Sequence, residues 1–125
     1  MNYTILSAKK YNLKLKCTIQ ATGKLGFTDA TSKYMKLSEF SHVKFAQDNE
    51  DKETLYLIHI NEVNEDAFKV VKAGKYFYVN TKALFDTLEY DYKNNTIIFD
   101  MVEQKEEGIE IYKLLKREMP RKRKQ

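Results

Sequence analysis

The sequence predicts an α+β fold: an internal duplication of a ββαββ unit, hairpin–helix–hairpin, with mainly antiparallel, curved sheets packed on two short helices. Three observations carry that expectation. Apolar and polar residues alternate over strand-length stretches. A glycine turn twice precedes a short helical stretch. And two parts of the chain align: TIQATGK, residues 18–24, falls on KVVKAGK, residues 69–75, at an offset of 51 that places Gly23 on Gly74. After the helical stretch the offset becomes 54, and His42–Phe45 falls on Thr96–Phe99. Residues 11–60 and 62–114 thus read as two repeats of one domain spanning 1–119, followed by a basic disordered tail, 120–125.

The elements follow in order. YNLKLKCTIQ and DAFKVVK alternate and read as first strands. Gly23 and Gly74 supply the positive φ of a hairpin turn. KLGFT and KYFYV are the second strands. Asp29 and Asn80 stand where a helix N-cap belongs, since a short side-chain oxygen can accept an orphan N–H. ATSKYMKL and TKALFDTLEY are the helices, with Tyr34/Leu37 and Phe85/Leu88 three apart on one face. HVKFAQ with TLYLIHI, and TIIFDMV with GIEIYKL, form closing hairpins whose tips, DNEDKE and EQKEE, read as solvated loops.

Length and composition bound the function classes. At 125 residues with a net charge of +4 the chain is one domain of ordinary globular composition. No apolar run approaches the roughly 18 residues of a membrane span, and nothing of signal-peptide character opens the chain. Cys17 is the only cysteine, so no intrachain disulfide forms and a cytoplasmic location is expected. Charge is segregated: residues 1–40 hold seven Lys/Arg against two Asp/Glu, residues 41–66 the reverse, two against seven. The last 17 residues again hold seven against two.

Matching the two repeats assigns faces. Leu25/Phe27 against Tyr76/Tyr78 are apolar in both, which puts those two tyrosines in the core and Phe77, opposite Gly26, on the outer face. That face of the second repeat carries Lys69, Val71 and Phe77, with Lys72 and Lys75 near the turn. Exposed rings interleaved with cations suit single-stranded nucleic acid, whose bases stack while lysines neutralise phosphates. Arg121, Lys122, Arg123 and Lys124 add a basic arm. The competing reading buries the Phe77 face against a second copy or another protein.

Catalytic, metal and cofactor signals are missing. His42 and His59 lie in separate strands with no nucleophile or carboxylate at a diagnostic spacing. The two histidines and one cysteine have no zinc-ligand spacing, and the acidic loops lack a calcium pattern. No phosphate-cradling loop, dinucleotide fingerprint or nucleophile elbow occurs. Cys17, matched by Phe68, reads as a small hydrophobe. No catalytic residue, metal or cofactor is therefore expected.

Residues 42–90, in the order ββββα with KVVKAGKYFYV as the strand pair bearing lysines and rings, resemble the Whirly/PUR group of single-stranded nucleic-acid binders. The stretch TGKLGFTDATSKYMKLSEFSHVKF resembles the unit of swapped-hairpin transcription factors, which intertwine as two copies. Both resemblances imply nucleic acid as partner. The expectation is a small, cytoplasmic, non-enzymatic protein binding single-stranded DNA or RNA, the alternative a protein-interaction module that forms a homodimer or an adaptor.

Overall fold

The computed structural model describes residues 2–8 and 12–121. Eight strands and two helices follow one another: β1 (Leu15–Ile19), β2 (Leu25–Phe27), α1 (Asp29–Met35), β3 (His42–Gln47), β4 (Leu55–Ile60), β5 (Phe68–Ala73), β6 (Tyr76–Val79), α2 (Lys82–Thr87), β7 (Asn95–Glu106) and β8 (Ile109–Pro120). All eight strands join one closed antiparallel barrel in the order β1-β2-β6-β5-β3-β4-β8-β7.

That closure corrects the expected fold class. The molecule is mostly β, and its helices are only seven and six residues long. It is not an α+β duplication of a ββαββ unit, because neither half of the chain builds a sheet of its own. Between hairpins the neighbours are β2 with β6, β5 with β3, β4 with β8, and β7 with β1. Each of these seams joins the first half of the chain to the second. A half taken alone would leave four strand edges bare, which closure removes.

The barrel interior is filled by side chains, as eight strands permit. Cys17, Ile19, Leu25, Val43, Leu57, Val70, Val79 and Ile97 are fully buried. Burial pushes the Cys17 thiol well above its usual range, with Asp100 adding to the effect. The helices leave the antiparallel β2 and β6 at opposite barrel ends. At the α1 end, Met35 and Leu37 are buried. At the α2 end, Phe85 is buried among the rings of Phe45, Tyr90 and Phe99, its ring 5.5 Å from that of Tyr90. Tyr34, paired in the sequence with Leu37, instead faces outward and donates its hydroxyl to Glu103.

Two local expectations also shift by one residue. The helix N-caps are Thr28 and Thr81, not Asp29 and Asn80. Thr28 accepts the Thr31 N–H at 3.2 Å, while Thr81 donates its hydroxyl to the Gly23 carbonyl at 2.8 Å and ties α2 to the first hairpin. The larger shift is in β6. The first hairpin closes with Ile19 opposite Leu25, the second with Ala73 opposite Tyr76. The first loop is therefore three residues longer, and matching the chain on Gly-Lys gives the wrong strand parity. A slip of one residue exchanges the faces. Phe77 points inward and packs on the core, while Tyr76 and Tyr78 lie on the outer wall.

The acidic tip EQKEE does not form a loop. β7 runs to Glu106, β8 begins at Ile109, and Gly108 takes φ 75° in the turn between them. β8 then continues to Pro120, so Lys113, Lys116 and Arg117 of the basic C-terminal stretch lie in a strand.

The seams make a prediction about the whole chain. Residues 1–61 expressed alone should show no cooperative thermal transition by circular dichroism, and mixing them with residues 62–125 should restore one. A cooperative melt of the first fragment by itself would refute the interleaved closure.

Candidate nucleic-acid interface

Four adjacent strands, β1, β2, β6 and β5, carry Lys16, Lys69 and Lys72, and their turns add Lys24 and Lys75. No Asp or Glu occurs in these strands or in the turns 20–24 and 74–75. Strand alternation sends Leu15, Cys17 and Ile19 inward and leaves Lys16 and Thr18 outside. The register then sets one lateral row on the outer wall: Thr18 opposite Gly26, Gly26 opposite Tyr78, Tyr78 opposite Val71.

Two rings dominate that wall. Tyr76 and Tyr78 stack with centroids 6.2 Å apart, their planes 23° from parallel. The Lys24 ammonium sits 4.6 Å from the Tyr78 ring centre, a cation–π arrangement. Gly26 is glycine for a steric reason: a Cβ there would run into the Tyr76 hydroxyl and lie 2.9 Å from the Gln20 amide nitrogen. Tyr76 thus lies across bare β2 backbone, bonded to Gln20, and stays 38% exposed. Its hydroxyl accepts the Gln20 amide N–H, and partial burial raises the pKa of that hydroxyl.

The sequence-predicted residues divide. Lys69 is exposed and Val71 half-buried on the outer wall beside Tyr78. Lys72 lies opposite the inward Phe77 at the barrel rim, and Lys75 is in the two-residue turn after Gly74, whose φ is 64°. Lys72, Lys75 and Phe77 line a groove there, into which α1 contributes Lys33 and Lys36. Phe77 is thus no outer-face platform; its ring packs on the molecule's own core and its exposed part lines the groove. Arg121 is a clasp: its guanidinium donates to the Tyr92 carbonyl at 2.9 Å and to the Ile19 carbonyl at 3.5 Å. Lys122, Arg123 and Lys124 lie outside the described residues.

The sequence reading missed Tyr76 and Tyr78 as outward rings, Lys24 beside them, and Lys33 and Lys36 in the groove. The signal available was the pair Lys33/Lys36 at helical spacing. A partly buried polar network was missed as well. The Ser41 hydroxyl lies 2.9 Å from His59 Nε2, and His59 Nδ1 lies 3.0 Å from Glu110 Oε2. A carboxylate can only accept, so Nδ1–H donates to Glu110 and, in the neutral ring, Nε2 accepts from Ser41. Tyr112 donates to the same carboxylate oxygen at 2.7 Å, and burial followed by that bond pushes its phenol far up.

This is the order of a Ser-His-acid triad. Its chemistry needs a nucleophile that substrate can reach, and Ser41 is 0% exposed. Its oxygen also accepts the Ser38 N–H at 3.0 Å. The network therefore pins the loop entering β3 to β4 and β8. Ser41→Ala should cost about 1–3 kcal/mol by orphaning buried partners. It should lower the urea midpoint, and combined with His59→Ala the loss should be less than additive. An unchanged midpoint for Ser41→Ala would show that the network does not hold this loop.

Compared with family models, with curated proteins and with solved structures, the chain matches none, so its reading rests on its own residues.

Proposed function

We propose that the chain is a non-enzymatic binding module for single-stranded nucleic acid, and that the outer wall of β1, β2, β6 and β5 is its binding face. The observation that carries this is the pairing of two partly exposed, stacked tyrosines with a surrounding strand surface that holds lysines and no carboxylate. An unpaired base offers a π-face to Tyr76 or Tyr78, and Lys16, Lys24 and Lys69 meet the phosphates on either side. Double-stranded nucleic acid keeps its bases stacked inside, so it offers these rings nothing but backbone. The inaccessible Ser41 supports binding over catalysis. No helix among the described residues is long and apolar enough to cross a membrane. A cytoplasmic location belongs to the same proposal, supported by the single, buried Cys17.

A second reading has its own observation. Val102, Ile109, Leu115 and Met119 are 43–45% exposed on β7 and β8, in the other half of the barrel. That surface suits a second copy or a protein partner and does not compete with the tyrosine wall.

Anisotropy with labelled oligonucleotides tests the first reading. Tyr76→Ala and Tyr78→Ala should each weaken single-strand binding by about 1–3 kcal/mol, roughly five- to 150-fold. Phe77→Leu, which keeps an apolar side chain against the core and at the rim, should weaken it far less. Failure of the native chain to bind single-stranded DNA or RNA at low salt overturns the proposal.

A further inference from the structure

The β5–β6 hairpin has a second functional side. Its outer positions Val71, Tyr76 and Tyr78 belong to the tyrosine wall. Its rim residues Lys72 and Lys75, with the inward Phe77, instead line the groove of about 590 Å³ beside α1. Across that groove stand Lys33 and Lys36, with Leu37 adding apolar floor. Asp29 also lines the groove, and its carboxylate is taken up by Lys33 at 3.0 Å. Lys36, Lys72 and Lys75 are in no ion pair among the described residues. Lys36 is held in place by backbone: it caps α1 in the left-handed region at φ 55°, its N–H bonded back to the Lys33 carbonyl at 3.2 Å.

Three cations without carboxylate partners around one groove repel one another, and an anion entering the groove relieves that repulsion. An apolar floor beside them suits a ligand that is part flat ring and part phosphate. Only one turn, Gly74–Lys75, separates this groove from the tyrosine wall, since Lys72 and Phe77 are the register neighbours of the pairs Val71–Tyr78 and Ala73–Tyr76. Gly74 has nothing within 4 Å of where a Cβ would be, so the turn stands clear for a strand to pass over it.

We infer that a single strand bound on the tyrosine wall continues over the Gly74–Lys75 turn into this groove, where Lys36, Lys72 and Lys75 hold its phosphates. The inference rests on the proposed binding face and extends it. It gives the site a length: a short oligomer occupies the wall alone, a long one both wall and groove. Barrel-type single-strand binders cover about 4–16 nucleotides, which sets the two probes.

The experiment compares a 4-nucleotide and a 16-nucleotide single-stranded DNA across a salt series. It uses the full chain and the variant Lys36→Asn/Lys72→Gln/Lys75→Gln, with thermal melts confirming that both are folded. Asparagine is chosen at 36 because it tolerates the left-handed region. For the 16-mer, the slope of log affinity against log salt should fall by about 2 in the variant, since each lost phosphate contact removes about 0.7. The 4-mer should bind both chains alike. The double variant Lys36→Asn/Lys75→Gln should lose an intermediate part of the 16-mer slope. An unchanged 16-mer slope in a folded triple variant overturns the inference, as does an equal loss for both oligomers. Failure of the native chain to bind either oligomer strikes the proposed face itself, and so is distinguishable.

Discussion

The rest of the structure depends on closure of the barrel between strands distant in sequence. β1 pairs with β7 from Leu15 opposite Met101 to Ile19 opposite Ile97, and this seam completes the ring. Each hairpin forms from local chain, but its outer edges find partners only in the other half. Loop-closure entropy is spent on these distant seams before burial repays it. The return is an interior where Cys17, Leu25, Val43, Leu57, Val70 and Ile97 lose all contact with water at once. Arg121, just past β8, serves this closure too: it holds the carbonyls of Ile19 and Tyr92 where β1, β7 and the loop after α2 meet.

Closure also fixes which side of each strand is available for function. Inside a closed ring every second residue is consumed by packing, and the others face outward. In β6 this rule takes Phe77 and Val79 for the core and releases Tyr76 and Tyr78 to the wall. Neighbouring β2 contributes a glycine outward, which leaves room for Tyr76 to lie flat over backbone. The acid-poor wall and the acidic β7–β8 hairpin, with Glu103, Glu106 and Glu110, occupy different parts of the barrel. Charge segregation along the chain thereby becomes segregation in space.

What the sequence revealed was what is local. Alternation located the strands, and Gly23 and Gly74 do turn with positive φ, at 89° and 64°. Alternation cannot say which strand lies beside which, so the barrel was invisible and a compact repeated unit was the natural inference. The misplacement of Phe77 has a narrower cause. Both first turns end in Gly-Lys, yet one connection spans Gln20–Lys24 and the other only Gly74–Lys75. The motif was the same while the parity of the next strand was opposite, and parity decides the face. Lys69, Val71, Lys72 and Lys75 were legible as a basic strand pair. Their division between wall and groove was not, because the groove needs α1, whose Lys33 and Lys36 come from another part of the chain.

Ser41, His59 and Glu110 mark the difference between a constellation and a site. Their distances match a relay that elsewhere activates a nucleophile, and they too come together only through barrel closure, across β3, β4 and β8. Yet the serine oxygen already accepts a backbone N–H and lies wholly out of solvent, so no reacting atom can be brought to it. The tyrosine wall is the inverse case. The same closure leaves its residues out: two rings and several lysines remain on four strands that carry no carboxylate, while Asp100 of neighbouring β7, opposite Lys16, is bound by Arg117. In this molecule accessibility, more than the identity of the residues brought together, separates the proposed binding surface from the structural core.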